Sequence, residues 1–113
     1  MDKTKINLIL DRLLQKTKEG KLEWEKTADR NTFLLVLEDS AISVTNDIEY
    51  FSREGNYRSY RFDFRNEAGD IVESVAVSDE EEYKKAENIF NLARQQSFRT
   101  DKTVNSILEQ LVA

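Results

Sequence analysis

The side chains that most often perform acid–base and nucleophilic chemistry are missing from this chain, which has no His and no Cys among its 113 residues. Ser-His-Asp and Cys-His arrangements are therefore excluded, as are disulfides and the usual ligands of transition metals. The glycines Gly20, Gly55 and Gly69 are too scattered for a phosphate-binding loop or a dinucleotide-binding fingerprint. We predict no catalytic residue, no metal ligand and no cofactor. Hydrolysis by paired carboxylates is the class of catalysis that stays open.

Arginines and aromatic residues are concentrated in the middle of the chain. Arg61 and Arg65, with Arg58 nearby, have the chemistry to bind phosphate. Acidic residues are interspersed among them, so pairing of opposite charges across neighbouring strands is the interpretation that we favour.

A contact surface for another protein chain is predicted within residues 50–58. This segment combines aromatic residues and arginine, which are enriched at interface hot spots, with turn-forming residues. The alternative is that the first two aromatic side chains pack into the core and the arginines are solvated. The predicted surface consists of Tyr50, Phe51, Arg53, Tyr57 and Arg58.

A β-hairpin over residues 57–77 is the element around which the chain is organised. Aromatic residues at positions 60, 62 and 64 alternate with polar ones, which is typical of a strand with one buried face. Asn66 and Gly69 are suited to the first and fourth positions of a type I turn. A β-branched return strand follows.

The hydrophobic pattern must decide the register of this hairpin, because a slip of one residue exchanges the two faces. If Arg65 pairs with Asp70, then Phe64 faces Ile71 and the apolar residues share one face. If Arg65 pairs with Ile71, the core face of the return strand would present only a valine, a serine and an alanine. We predict the first register. It leaves Glu73 on the apolar face, which a bulge or a position at the sheet edge would explain.

Helical periodicity marks both ends of the chain. A first helix is predicted over residues 4–19, capped by Asp2 or Thr4 and ended by Gly20. Ser78 with Glu81 forms a capping box for a helix that extends to about residue 98. A third helix, or a kinked continuation of the second, carries an apolar stripe of Val104, Ile107, Leu108 and Leu111.

Short apolar or alternating runs between these helices predict a short strand or an extended lead-in near residues 22–24 and strands over 32–37 and 41–45. A strand extension and a loop are predicted over 46–56. Strands joined by short turns form an antiparallel meander. We therefore predict one α+β domain over residues 1–113. It has two layers, an antiparallel β-meander of 4–5 strands with an N-terminal helix and two C-terminal helices packed on it.

The composition of the chain limits the classes of partner that we expect. The net charge is -5, and no segment is basic enough to make nucleic acid the expected partner. No apolar run is long enough to span a membrane, and the N-terminal stretch lacks the apolar core of a signal peptide. We expect a cytoplasmic protein that binds neither nucleic acid nor membrane.

Residues 10–27 read Leu-Asp-Arg-Leu-Leu-Gln-Lys-Thr-Lys-Glu-Gly-Lys-Leu-Glu-Trp-Glu-Lys-Thr. The spacing of Leu-Leu, Lys-Thr, Gly and Trp resembles the opening of small proteins from bacteria and their phages. The resemblance implies a cytoplasmic setting and no known activity, and a phage origin would favour an inhibitor or a regulatory partner. Independently of it, we expect Gly20 to end a helix and Trp24 to be an apolar core or core-edge residue, with a binding anchor as the alternative for Trp24.

Our leading hypothesis is a non-catalytic protein-interaction or regulatory module that self-associates or binds a protein partner. The alternative is a small-ligand binding protein or a carboxylate-dependent enzyme with a pocket between the sheet and the helices. A pocket lined by convergent Tyr, Arg and carboxylates would favour the alternative, whereas a packed interior would favour the first.

Overall fold

The computed structural model describes residues 2–51, 55–77 and 80–112, with side chains described except at 48–51, 55–58 and 80. Along the sequence, one N-terminal helix is followed by five strands, which form one sheet, and then by two C-terminal helices. The elements are α1 (Lys3–Lys18), β1 (Trp24–Lys26), β2 (Thr32–Val36), β3 (Ala41–Phe51), β4 (Gly55–Arg65), β5 (Ile71–Val77), α2 (Glu80–Ser97) and α3 (Thr100–Val112).

The strand order is β1-β2-β3-β4-β5, and every neighbouring pair is antiparallel. The sheet is thus a meander in which each strand pairs with the next strand of the chain. The predicted α+β fold class is confirmed.

Helix α1 begins and ends as the sequence predicts. The Asp2 side chain accepts a hydrogen bond from the Thr4 backbone N–H at 2.9 Å, which caps the first turn. Gly20 follows the helix with a φ of +71°, a conformation that costs glycine little because it has no Cβ. The backbone N–H of Lys21 then reaches back to the Lys16 carbonyl at 3.0 Å, so the last turn is satisfied.

The hairpin of β4 and β5 has the predicted turn. The Gly69 N–H donates to the Asn66 carbonyl at 2.9 Å, and Gly69 has a φ of +89°. The Asn66 side chain also accepts from the Asp70 N–H at 3.0 Å. The turn residues were therefore identified correctly from their types.

The predicted register of this hairpin is wrong. Arg65 pairs with Ile71, but the register then shifts so that Phe64 pairs with Glu73. The pairing of Arg65 with Ile71 is already shifted by one residue from the predicted register. A bulge then inserts one extra residue into β5, and this second shift turns the apolar residues of β5 back towards the core. Val77, which lies opposite Tyr60, is consequently buried, whereas Ile71 is half exposed. Glu73 lies on the edge strand next to the bulge, so both explanations offered for its position apply.

Helix α2 covers the core face of the sheet and contacts all five strands. Its Phe90 ring packs 5.3 Å from the Phe33 ring and 5.5 Å from the Tyr60 ring, between centroids. Helix α1 lies beside α2 and adds Leu10 and Leu13 to the same core. One continuous apolar core therefore joins α1, α2 and the sheet.

The short strand β1 is held at the sheet edge by the end of α2. The Gln96 side chain accepts from the Trp24 N–H at 3.1 Å and donates to the Leu22 carbonyl at 2.7 Å. The Ser97 hydroxyl donates to the Trp24 carbonyl at 3.0 Å. Trp24 is 3% exposed, and its indole N–H donates to the Thr17 hydroxyl at 3.1 Å. The expectation that Trp24 belongs to the core is thus confirmed.

Strands β3 and β4 extend beyond their neighbours. The last pair of β2 with β3 is Thr32 with Thr45, and the last pair of β5 with β4 is Val77 with Tyr60. From residue 46 to 51, β3 pairs only with β4 among the described strands. The predicted strand extension is confirmed, and β4 starts at residue 55 rather than 57. The far end of the sheet is therefore a two-stranded ribbon.

Candidate interaction surface

The backbone positions of four of the five predicted contact residues, Tyr50, Phe51, Tyr57 and Arg58, lie on this ribbon. Arg53 is outside the described residues, and so are the side chains of Tyr50, Phe51, Tyr57 and Arg58. The backbone register places Ile48 opposite Arg58, Glu49 opposite Tyr57 and Tyr50 opposite Asn56. Involvement of these side chains in a protein contact therefore stays a prediction.

Helix α3 presents an apolar surface whose side chains the structure does describe. Val104, Ile107, Leu108 and Leu111 recur at helical spacing, as the sequence predicts, and they are 48%, 51%, 54% and 77% exposed. No side chain of α3 is buried. Among the described elements, α3 contacts α2 alone. We call these four side chains the α3 stripe.

The exposure of the α3 stripe follows from the layout of the core. Helix α2 already contacts all five strands, and α1 fills the space beside it. Arg99 adopts a φ of +51° between the two C-terminal helices, so the chain leaves the axis of α2 before α3 begins. An exposed apolar patch with polar surroundings commonly marks an interaction site.

The electrostatic surroundings of the α3 stripe are mild. The charged residues of α3 are Asp101, Lys102 and Glu109, giving the helix a formal charge near -1 in a chain of -5. Asp101 in the first turn is favourably placed relative to the helix dipole. Strong repulsion would therefore not oppose the approach of a similar surface.

Of the three arginines of β4 that have the chemistry to bind phosphate, Arg61 is engaged with carboxylates. Arg61 Nη1 lies 2.7 Å from Asp47 Oδ2, and its Nε lies 3.4 Å from Asp63 Oδ2. Asp63 is nearly buried and also accepts a hydrogen bond from the Ser74 hydroxyl at 2.6 Å. The favoured interpretation, charge pairing across strands, is confirmed for Arg61.

Comparison with models of known protein families, with curated proteins and with solved structures found no match. The resemblance of residues 10–27 to bacterial and phage proteins stays a prediction. Within the described ranges, no helix is both long and apolar enough to cross a membrane. In the same part of the chain, no group of three or more acidic side chains is placed to hold a metal ion.

Proposed function

We propose that this protein is a non-catalytic interaction module that self-associates through α3. The observation that carries the proposal is the exposed α3 stripe, four large aliphatic side chains on a helix with no buried residue. Helices with one apolar face are stabilised chiefly by burying that face against a partner.

The spacing of the α3 stripe favours a second copy of this chain as the partner. Val104 and Leu111 lie equally far from the midpoint between Ile107 and Leu108. When two such helices cross antiparallel at that midpoint, Val104 lies opposite Leu111 and Ile107 lies opposite Leu108 of the other copy. This is the self-complementary arrangement that a two-fold interface requires.

The energetics favour a dimer that depends on protein concentration. Fully burying one aliphatic side chain contributes roughly 1.5–3 kcal/mol. Because the side chains are 48–77% exposed, eight of them in a pair would contribute roughly 7–14 kcal/mol. Association costs an estimated 4–15 kcal/mol. The two ranges overlap, so we expect dissociation on dilution rather than a permanent dimer.

Sedimentation velocity over a range of protein concentrations tests the proposal. We expect a reversible shift from the 13.2 kDa monomer to twice that mass. Leu108→Glu should leave the protein monomeric, because it places a charge in the centre of the stripe. Its melting temperature should change little, since surface substitutions usually alter stability by less than about 0.5 kcal/mol.

Leu8→Glu is the matched control, because Leu8 is an equally exposed leucine on α1. That variant should dimerise like the parent. If the parent stays monomeric at the highest concentration, or if Leu8→Glu disrupts the dimer as strongly as Leu108→Glu does, self-association through α3 is refuted.

Cysteine cross-linking tests the antiparallel arrangement, and the chain has no cysteine of its own. Chains with Val104→Cys and chains with Leu111→Cys should be joined by a short bismaleimide when they are mixed. Each variant alone should cross-link poorly. Efficient cross-linking of each variant alone would indicate parallel helices and would contradict the proposed geometry.

A further inference from the structure

A cleft of about 550 Å³ lies between the core side of the ribbon and the end of α2. Its floor includes Asn46 and Tyr60, which are opposite each other in β3 and β4. The cleft forms where β2 stops, since the Asn31 carbonyl accepts from the Asn46 N–H at 2.9 Å just beyond the last pair of β2 with β3. Its volume falls within the usual range of small-molecule sites.

The charge of the cleft has the opposite sign to that of the whole protein. Arg30 and Arg94 line it, and no Asp or Glu is among its described lining residues. Neither arginine has a carboxylate within ion-pair distance in the described part of the chain. Two guanidinium groups with no carboxylate partner among the described residues favour a bound anion, and phosphate matches their hydrogen-bonding geometry.

One wall of the cleft is aromatic. Phe98 is 46% exposed, whereas Phe90 and Tyr60 are nearly buried behind it. The Phe98 ring is fixed by an edge-on contact with Phe33 at 5.9 Å between centroids. Lys26 Nζ already lies 5.2 Å from the centroid over one face of this ring, so a planar group would stack on the opposite face.

Three amides complete the lining, at Asn31, Asn46 and Asn91. Among the described residues, the Asn46 amide oxygen is buried without a hydrogen-bond partner. An unsatisfied buried acceptor of this kind is uncommon and calls for a donor. Amide side chains pair well with the N–H and ring-nitrogen edges of nucleobases.

We propose that this cleft binds a nucleoside monophosphate. The phosphate would be held by Arg30 and Arg94, the base would lie against Phe98, and an N–H of the base would donate to Asn46. The cleft contains the tyrosine and the arginines expected of a ligand-binding protein, although no carboxylate lines its described part. The proposal does not depend on self-association through α3.

Isothermal titration calorimetry with AMP, GMP, CMP and UMP tests the proposal on the full chain. We expect at least one of them to bind with one-to-one stoichiometry. Inorganic phosphate and the matching nucleoside should each bind at least tenfold more weakly, because each lacks one half of the contacts. Equal affinity for inorganic phosphate would overturn the proposal, as would the absence of saturable binding for all four nucleotides.

Arg94→Gln should weaken binding of that nucleotide at least tenfold, since a neutral amide replaces the cation. Arg30→Gln, in the loop before β2, should weaken binding in the same way, and it provides the test if Arg94→Gln makes the protein less stable. Arg12→Gln is the matched control, because Arg12 is an exposed arginine on α1 outside the cleft. Leu108→Glu should also bind normally. Unchanged affinity in both Arg94→Gln and Arg30→Gln would refute the site.

Discussion

Replacement of Trp24 by phenylalanine would test the contact that joins β1 to α1. The substitution removes the indole N–H that donates to the Thr17 hydroxyl at 3.1 Å, and it removes part of a side chain that is 3% exposed. A typical hydrogen bond contributes about 0.5–1.5 kcal/mol net. Loss of the buried ring atoms adds at least the 0.5–1.5 kcal/mol or so typical of removing one buried methylene. We therefore expect a loss of about 1–3 kcal/mol.

Thr17→Val isolates the hydrogen bond from the packing. It preserves the shape of the side chain but leaves the buried indole N–H without a partner, which costs about 1–3 kcal/mol. In the double variant Trp24→Phe with Thr17→Val, both hydrogen-bonding groups are absent. The double variant should therefore be less destabilised than the sum of the two single variants, by about 1 kcal/mol.

Urea denaturation followed by circular dichroism measures all three variants, because the protein has one tryptophan and its fluorescence is lost in Trp24→Phe. Thr17→Ser retains the hydroxyl and is the control that should keep the coupling. If the single effects add within about 0.3 kcal/mol, the hydrogen bond makes no measurable contribution and the reasoning is refuted.

Other parts of the fold give simpler tests. Phe62→Ala or Leu35→Ala should each cost about 2–5 kcal/mol, and an unchanged melting temperature would contradict their place in the core. Arg99→Gly should stabilise the protein by about 1 kcal/mol by relieving the positive φ, whereas Arg99→Ala should bring no such gain in the same thermal melt. The hydrogen bond with Asp11 raises the pKa of Lys85 above its usual 10.5. The ion pair therefore stabilises the fold fully at pH values below 10.5, and this stabilisation is lost as the pH rises through the folded-state pKa of Lys85. The deficit of Asp11→Asn, at most about 1 kcal/mol because Asp11 is largely exposed, should therefore shrink in melts at strongly alkaline pH. Calorimetric titration with Ca²⁺, Mg²⁺ or Mn²⁺ should reveal no stoichiometric binding with a dissociation constant below about 1 mM, a limit that includes even weak protein calcium sites.

The elements of this fold were predictable because each depends on a local signal. Gly20 ends α1, Asn66 and Gly69 form the tight turn, and alternating aromatic residues define β4. The register of the β4–β5 hairpin was not predictable in the same way. A bulge in β5 changes the pairing without changing the composition of either strand. The observed pairing differs from the predicted one by two residues, which keeps the apolar side chains on the core face, whereas a shift of one residue would have turned them away from it.

The exposed α3 stripe and the cleft could be recognised only from the tertiary packing. The α3 stripe has the same periodicity as a buried stripe, and only the coverage of the sheet by α2 shows that α3 is left exposed. The cleft combines Arg30 before β2 with Arg94 in α2, which are far apart in the sequence. A sequence pattern cannot reveal such convergence, although an excess of apolar stripes over available core surface was a usable signal for α3.

The contact of Gln96 with β1 has a consequence for the order of folding. Every strand pair of the meander joins neighbouring segments, so the hairpins can form over short loops. The hydrogen bond from Gln96 to Leu22 instead spans 74 residues, compared with 4 for the turn bond between Asp70 and Asn66. Closing the longer loop costs roughly 2–3 kcal/mol more in chain entropy. We therefore expect the β3–β4–β5 region to form in the folding transition state and β1 to dock late. Substitutions at Gln96 should accelerate unfolding and leave the folding rate nearly unchanged.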